Sequence, residues 1–396
     1  MARPPSARRL VYLDHCATTP VAREVMDAMR AYFTDRFGNP ASRGHQWGRD
    51  AEMAIAKARM AVADLVASSP DKVVWTSGAT EANNIAILGM VASTDMRKPH
   101  VVTQVTEHHS VLDVCRELER QGAEVTYLPV DRTGRINIDD LRQSVTKNTV
   151  LVSIMAANNE IGTIQPIREI GSVCRERGVV FHCDASQAVA KIPVNMDDNC
   201  IDLLTISSHK LYGPKGVGAI CESVRASSFR LRPIMFGGGH ERGLRPGTIN
   251  VPGAVGMGAA CALAMRDMAA DAKRLQRLRD TFEERILNGI EGARVNGCKQ
   301  HRLPHVSNIS FANIDSGLLL SALPEIGASI GSACSSADVE PSYVIRAIGV
   351  AKRHLQGSVR FSLGRENTAA DLDYAADRVI SMVTGLMSMH GGKKQR

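Results

Sequence analysis

Aromatic residues make up only 4% of the 396 positions, which leaves little material for the stacking platforms that single-stranded nucleic acid requires. No Cys-x-x-Cys pair occurs. The nine cysteines (Cys16, Cys115, Cys174, Cys183, Cys200, Cys221, Cys261, Cys298 and Cys334) are dispersed and odd in number. That argues against a disulfide framework or a structural zinc site, and for a reducing compartment. No run is long enough to cross a bilayer. The basic segment Met1 to Arg9 has no apolar core behind it, so it does not read as a secretory signal, although a shortened organellar presequence stays open. We expect a cytoplasmic protein. Internal repeats and low-complexity blocks are absent, and no strand leads into a Gly-x-Gly-x-x-Gly turn, which disfavours a nicotinamide dehydrogenase. Acidic residues are the minority, and the net charge is +7. Much of the excess sits at the ends, in Arg3, Arg8, Arg9, Lys393, Lys394 and Arg396, and reads as solvated tails. Neither a membrane nor a direct nucleic-acid partner is expected.

What is present is an alternation. From about residue 70 to 222, β-branched runs such as His100-Val-Val-Thr-Gln-Val105, Val150-Leu-Val-Ser-Ile154 and Val179-Val-Phe-His-Cys183 alternate with helix-like segments. Continuous apolar strands separated by helices imply an α/β fold with a mostly parallel sheet covered on both faces. In such sheets the chemistry gathers beyond the carboxyl ends of the strands. Residues 265 to 292 read as one long amphipathic helix leading to a second unit. We expect a large domain over 16–264 and a small domain from 1–15 and 265–388. The small domain carries a loop at about 329–342, and 389–396 form a disordered tail.

Several strand ends deliver reactive side chains. Lys210 follows Ser207-Ser-His209 and precedes a glycine-broken segment. A partly desolvated amine there stays nucleophilic and can form an imine with an aldehyde; the competing reading is a surface lysine. Ser77-Gly-Ala-Thr80 opens a helix whose free N–H groups suit a phosphate dianion, or else is a simple capping turn. Asp184 follows an apolar strand and needs a cationic partner, such as a pyridinium nitrogen, unless it is a helix cap. Gln187 can donate to the ring's phenolic oxygen. His108 can stack on a planar cofactor and move protons, or be structural. Asn159 can contact substrate or ring, or bond its own backbone. Cys334, in Gly331-Ser-Ala-Cys-Ser-Ser-Ala337, has small neighbours and reads as a reactive thiol on a mobile loop. Arg360 ends a strand and can take a substrate carboxylate bidentately, or form an ordinary salt bridge. Together these residues supply what a pyridoxal phosphate site needs.

Assembled, the chain resembles the cysteine desulfurases of the class V pyridoxal phosphate enzymes, and closely the branch that feeds iron–sulfur cluster assembly. The resemblance runs from Tyr12-Leu-Asp-His-Cys-Ala-Thr-Thr-Pro20 to about Arg365. It passes through Phe37-Gly-Asn-Pro-Ala-Ser-Arg43, Thr76-Ser-Gly-Ala-Thr-Glu81, Thr106-Glu-His108, Asn158-Asn-Glu-Ile-Gly162, Asp184-Ala-Ser-Gln187 and Ser208-His-Lys210. Gly237-Gly-Gly-His-Glu-Arg-Gly-Leu-Arg-Pro-Gly-Thr248 and Gly331-Ser-Ala-Cys-Ser335 complete it. It implies the fold type I aminotransferase architecture with pyridoxal 5'-phosphate as cofactor and L-cysteine as substrate. Lys210 would form the imine and shuttle the Cα proton. Ala79, Thr80, Ser207 and His209 would hold the phosphate, with Thr248 reaching across from a mate in a homodimer. Asp184 would bind the pyridine nitrogen, Gln187 the phenolic oxygen, and His108 would stack on the ring. Asn159 and Arg360 would grip substrate. Cys334 would take the sulfur as a persulfide, releasing alanine, and pass it to an acceptor protein such as an iron–sulfur scaffold or a thiolation factor. The resemblance implies no resident metal, with Cys334 touching an iron–sulfur cluster only in passing.

Two departures stand out from the commonest pattern. The C-terminus is short, which places scaffold docking in question, and His109 and Arg245-Pro246 vary. Two other readings compete: a class V aminotransferase or selenocysteine lyase, which has no need of Cys334, and a docking platform for sulfur acceptors with weak turnover of its own.

Overall fold

The computed structural model describes residues 9–224, 229–330 and 341–391. After a short strand β1 (Val11–Tyr12), two helices, α1 (Arg23–Thr34) and α2 (Gln46–Val66), lead into the alternating region. There β2 (Val73–Thr76), α3 (Ala79–Val91), β3 (His100–Gln104), α4 (His109–Arg120), β4 (Glu124–Leu128), α5 (Ile138–Ser144), β5 (Thr149–Ser153), α6 (Ile167–Arg177), β6 (Val180–Asp184), β7 (Leu203–Ser207) and β8 (Gly218–Glu222) follow in turn. They form one seven-stranded sheet in the order β2-β8-β7-β6-β5-β3-β4. Only β8 runs antiparallel to its neighbours. The other strands therefore point their carboxyl ends at one edge, where the reactive residues lie.

Every residue of β2, β3, β5 and β7 is buried, as expected of strands sandwiched between helical layers. One core lies between the sheet and α1, α2, α6 and the first part of a long helix, α7 (Val251–Gly289). A second lies on the opposite face against α3 and α4.

The long helix α7 spans Val251–Gly289, so it starts earlier than the sequence pattern indicates. Its first part, Val251-Pro-Gly-Ala-Val-Gly-Met-Gly258, is rich in glycine, which disfavours a helix on propensity alone. Packing overrides propensity: a Cβ at Gly258 would stand 2.7 Å from the Cα of Ala58 on α2, so only glycine lets the two helices close. Asn250 Oδ1 accepts the Gly253 N–H and caps the helix. Along α7 the buried apolar residues change allegiance. Those up to Ala264 join the large core, whereas Leu275, Phe282 and Ile286 join a separate core.

That separate core belongs to a smaller unit. An antiparallel sheet in the order β12-β10-β9 joins β9 (Arg294–Val295), β10 (Val306–Ser310) and β12 (Ser358–Ser362). Helices α8 (Ser316–Ser321), α9 (Tyr343–Ala347), α10 (Lys352–Leu355) and α11 (Ala369–Gly391) surround it, and β11 (Ile326–Gly327) pairs with β1 in parallel. Val11 and Leu13 pack in the same core, so the start of the chain folds onto its end. Helix α11 continues to Gly391, three residues into the tail expected to be disordered; residues 392–396 lie outside the described ones. No helix among the described residues is long and apolar enough to cross a membrane.

Candidate active site

A cavity of about 580 Å³ opens at the carboxyl edge of the large sheet, where the smaller unit comes up against it. Its lining draws on the ends of β2, β3, β5, β6 and β7 together with Arg360 of β12.

The end of β7 turns into a tight 3-10 turn, Ser208–Lys210, which aims Lys210 back across the sheet edge. Lys210 Nζ donates to the carbonyls of Cys16 (2.5 Å) and Ala17 (2.7 Å). Burial pushes the Lys210 pKa below its ordinary value, with Arg360 adding to the effect and Cys16, Asp14 and Asp184 opposing it. A larger neutral fraction is what a nucleophilic amine requires.

Asp184, at the end of β6, is buried. Its Oδ1 accepts the Ser186 N–H at 2.9 Å and its Oδ2 accepts Asn83 Nδ2 at 2.8 Å. These two donors fix the orientation of the carboxyl group. His108 caps α4, its Nδ1 accepting the Ser110 N–H at 3.1 Å. With Nδ1 occupied as an acceptor, a neutral ring carries its proton on Nε2. Burial lowers the His108 pKa, and Asp184 partly offsets this.

At one end of the cavity, Gly78 precedes α3 with φ +153° and open space where a Cβ would stand. Ala79 and Thr80 form the first turn, whose N–H groups have no acceptor within the helix. Ser207, His209 and Lys215 line the same cavity. His209 Nδ1 pairs with Thr18 Oγ1 at 3.1 Å. Glu81 accepts both the Ser77 N–H and Arg245 Nε from outside the turn.

Opposite, Arg360 Nη1 donates to the Asn159 carbonyl at 2.8 Å and Nη2 to Asp14 Oδ1 at 2.6 Å. Among the described residues, Arg360 Nε, Asn159 Oδ1 and Ser186 Oγ are buried without a hydrogen-bond partner. Gln187 lines the cavity while its Nε2 donates to the Cys16 carbonyl at 3.0 Å, leaving a second amide hydrogen. Thr248 is exposed and outside this lining. Cys334 lies outside the described residues.

The structure therefore brings together Ala79, Thr80, His108, Asn159, Asp184, Gln187, Ser207, His209, Lys210 and Arg360. It adds residues that sequence reasoning missed. Glu160 lines the cavity, accepts the Ser342 hydroxyl, and is pushed by burial up to about 7 against the pull of Ser342 and Arg360. Tyr343 donates to the Glu107 carbonyl at 2.6 Å. Asn83 had a visible signal: an amide amid the apolar Ala82, Ile85, Ala86 and Ile87 of α3. The carbonyls of Cys16 and Ala17 had none, because every residue carries one.

The family model for aminotransferase class-V matches residues 11–375. Among curated relatives, "Cysteine desulfurase" of Mus musculus is 46% identical over 96% of this chain and 83% of its own length. "Cysteine desulfurase IscS" of Rickettsia felis is 44% identical over 96% of this chain and 92% of its own. A solved structure described as "NIFS-LIKE PROTEIN" superposes with a TM-score of 0.88 at 34% identity, covering 95% of this chain and 99% of that one. Another, "SspA in complex with cysteine", gives a TM-score of 0.79 at 35% identity, covering 89% and 98%. The chain belongs to the aminotransferase class-V family, among the cysteine desulfurases.

Proposed function

We propose that this enzyme takes sulfur from L-cysteine, leaves alanine, and holds the sulfur as a persulfide on Cys334 for an acceptor protein. The observation that carries the reading is the meeting of Lys210 Nζ and the buried Asp184 carboxylate at one sheet edge. The family is pyridoxal phosphate-dependent, and the residues present suit that cofactor. The first turn of α3, with Ser207 and His209, would hold its phosphate. Asp184 would pair with its ring nitrogen, Gln187 and His108 would contact the ring, and Lys210 would supply the amine that holds it. The unpartnered Asn159 Oδ1, Arg360 Nε and Ser186 Oγ are groups that a polar ligand satisfies. When bound, the cofactor supplies an electron sink for charge at the amino-bearing carbon.

The chain does the rest. Arg360 already has Nη2 on Asp14, so a substrate carboxylate arriving beside Asn159 finds Nε free and a guanidinium held in place. Lys210 Nζ takes and returns the proton at that carbon. Its lowered pKa keeps neutral amine available for the task. The Cys334 thiolate attacks the substrate sulfur. The S–S bond forms as the C–S bond breaks, and the carbon leaves as alanine after taking up a proton. Incubating the protein with L-cysteine and a reducing thiol, without any partner, should give alanine and sulfide in equal amounts. Pyruvate or a transaminated acid in place of alanine would reject the desulfurase reading.

We also infer a cytoplasmic homodimer that hands sulfur to an acceptor of iron–sulfur assembly or thiolation. Large apolar side chains stand exposed on and near α1 and α2 and on the loop after β8: Phe33 at 62%, Phe37 at 68%, Trp47 at 54% and Phe236 at 86%. Such a surface suits a partner, and Thr248 shares the 229–250 connection with Phe236. Sizing chromatography should return twice the mass of one chain; a fully active single-chain species would contradict the dimer.

A further inference from the structure

An amide links the Asp184 carboxylate to the His108 ring by way of Ser110. Asn83, on α3, is completely buried. Its Nδ2 has two hydrogens and two acceptors: Asp184 Oδ2 at 2.8 Å and Ser110 Oγ at 2.8 Å. Ser110 Oγ in turn lies 2.9 Å from His108 Nδ1. Turning the amide over would set Asn83 Oδ1 against the Asp184 carboxylate, acceptor against acceptor. The carboxylate therefore fixes the amide, the amide makes the Ser110 oxygen an acceptor, and the Ser110 hydrogen is left for His108 Nδ1.

We propose that Asn83 is a positioning residue that couples Asp184 to His108, orienting the first through a donated N–H and holding the second as a ring with its proton on Nε2. The proposal rests on the cofactor reading above and extends it to a residue outside the cavity lining. Its physical content is the direction of three hydrogen bonds. The N–H donated to Asp184 orients that carboxyl group. His108 Nδ1 accepts from both the Ser110 amide and the Ser110 hydroxyl, so adding a proton at Nδ1 displaces both. Without Asn83 the Ser110 hydroxyl is free to turn and accept from a charged imidazole, and one of those two obstacles disappears. Other charged or titratable groups facing His108 are Asp184, Lys210, His109 and Asp113, all of which stay in place when only Asn83 is changed.

The test is Asn83→Leu, close in volume and without donors, compared with wild-type holoenzyme. Nitrogen-15 NMR of histidine-labelled protein reads the tautomer and titration of His108, assigned through its loss in His108→Gln. In N83L we expect His108 to titrate higher by about one pH unit. We also expect kcat to fall by about tenfold or more while KM for cysteine stays within about twofold, the pattern of an interaction that acts in the transition state. If N83L does not fold, Ser110→Ala breaks the relay while sparing the Asn83–Asp184 bond, and the upward shift of His108 should persist in smaller measure. A His108 titration and a kcat unchanged from wild type in the variant that folds would overturn the proposal. The cofactor reading is judged separately, on the colour and chemistry of the wild-type protein, so one can fail without the other.

Discussion

Lys210→Ala should remain folded and lose at least about a thousandfold in alanine formation, within the range that removing a positioned proton carrier reaches. The side chain sits at the cavity wall, with Nζ held by two backbone carbonyls at 2.5 and 2.7 Å. Those carbonyls belong to the Cys16–Ala17 segment that follows β1, so the amine is aimed by the far end of the chain as well as by β7. Truncation opens space next to an existing cavity and lets water reach the two carbonyls, so melting should shift by only a few degrees. A small primary amine added in excess should restore part of the rate, because what is missing is an amine and a proton acceptor, not the fold. Steady-state alanine assays with and without that amine are the check. A variant within tenfold of wild type would remove Lys210 from the chemistry.

The second large effect separates two activities on one fold. Cys334→Ala should reduce sulfide release from L-cysteine by on the order of a thousandfold, as loss of a nucleophile does. The colour and the cofactor content should be unchanged. None of the residues placed around the cavity is altered by this change, so Lys210, Asp184 and Arg360 still receive cofactor and substrate. Spectral changes on adding cysteine should therefore persist while turnover stops. Full sulfide release by C334A would instead favour a lyase that needs no second sulfur. Labelled cysteine followed by peptide mapping gives the complementary result: in wild type the extra sulfur should travel with the peptide that contains Cys334.

Part of the cavity lining was legible in the sequence because several polar side chains fall within a few residues of apolar β-branched runs, and although each alone has a bland reading, together they match what one cofactor site needs. Asp184 after Val179-Val-Phe-His-Cys183, His108 after the strand at 100–105, and Lys210 after Leu203-Leu-Thr-Ile206 all follow that pattern, and the fold places all three at one cavity. The α/β class and the mostly parallel sheet followed from the same alternation. What stayed hidden has physical causes. The reversed direction of β8 depends on how the 208–217 turn folds back, which no periodicity records. The early start of α7 depends on a close approach to Ala58, where tertiary contact outweighs the helix propensity of glycine. Glu160 and Asp14 pair with residues 182 and 346 positions away, at Ser342 and Arg360. Asn83 gains its meaning only when α3, α4 and β6 converge.

One measurement reaches the centre of this account. Treating the purified holoenzyme with borohydride fixes an imine as a stable amine, and peptide mass mapping then locates it. The mass of a reduced pyridoxyl phosphate should appear on the peptide carrying Lys210, and prior loading with cysteine should lower its yield. A colourless protein that takes up no pyridoxal phosphate, or a label found on another lysine such as Lys191 or Lys215, would contradict it.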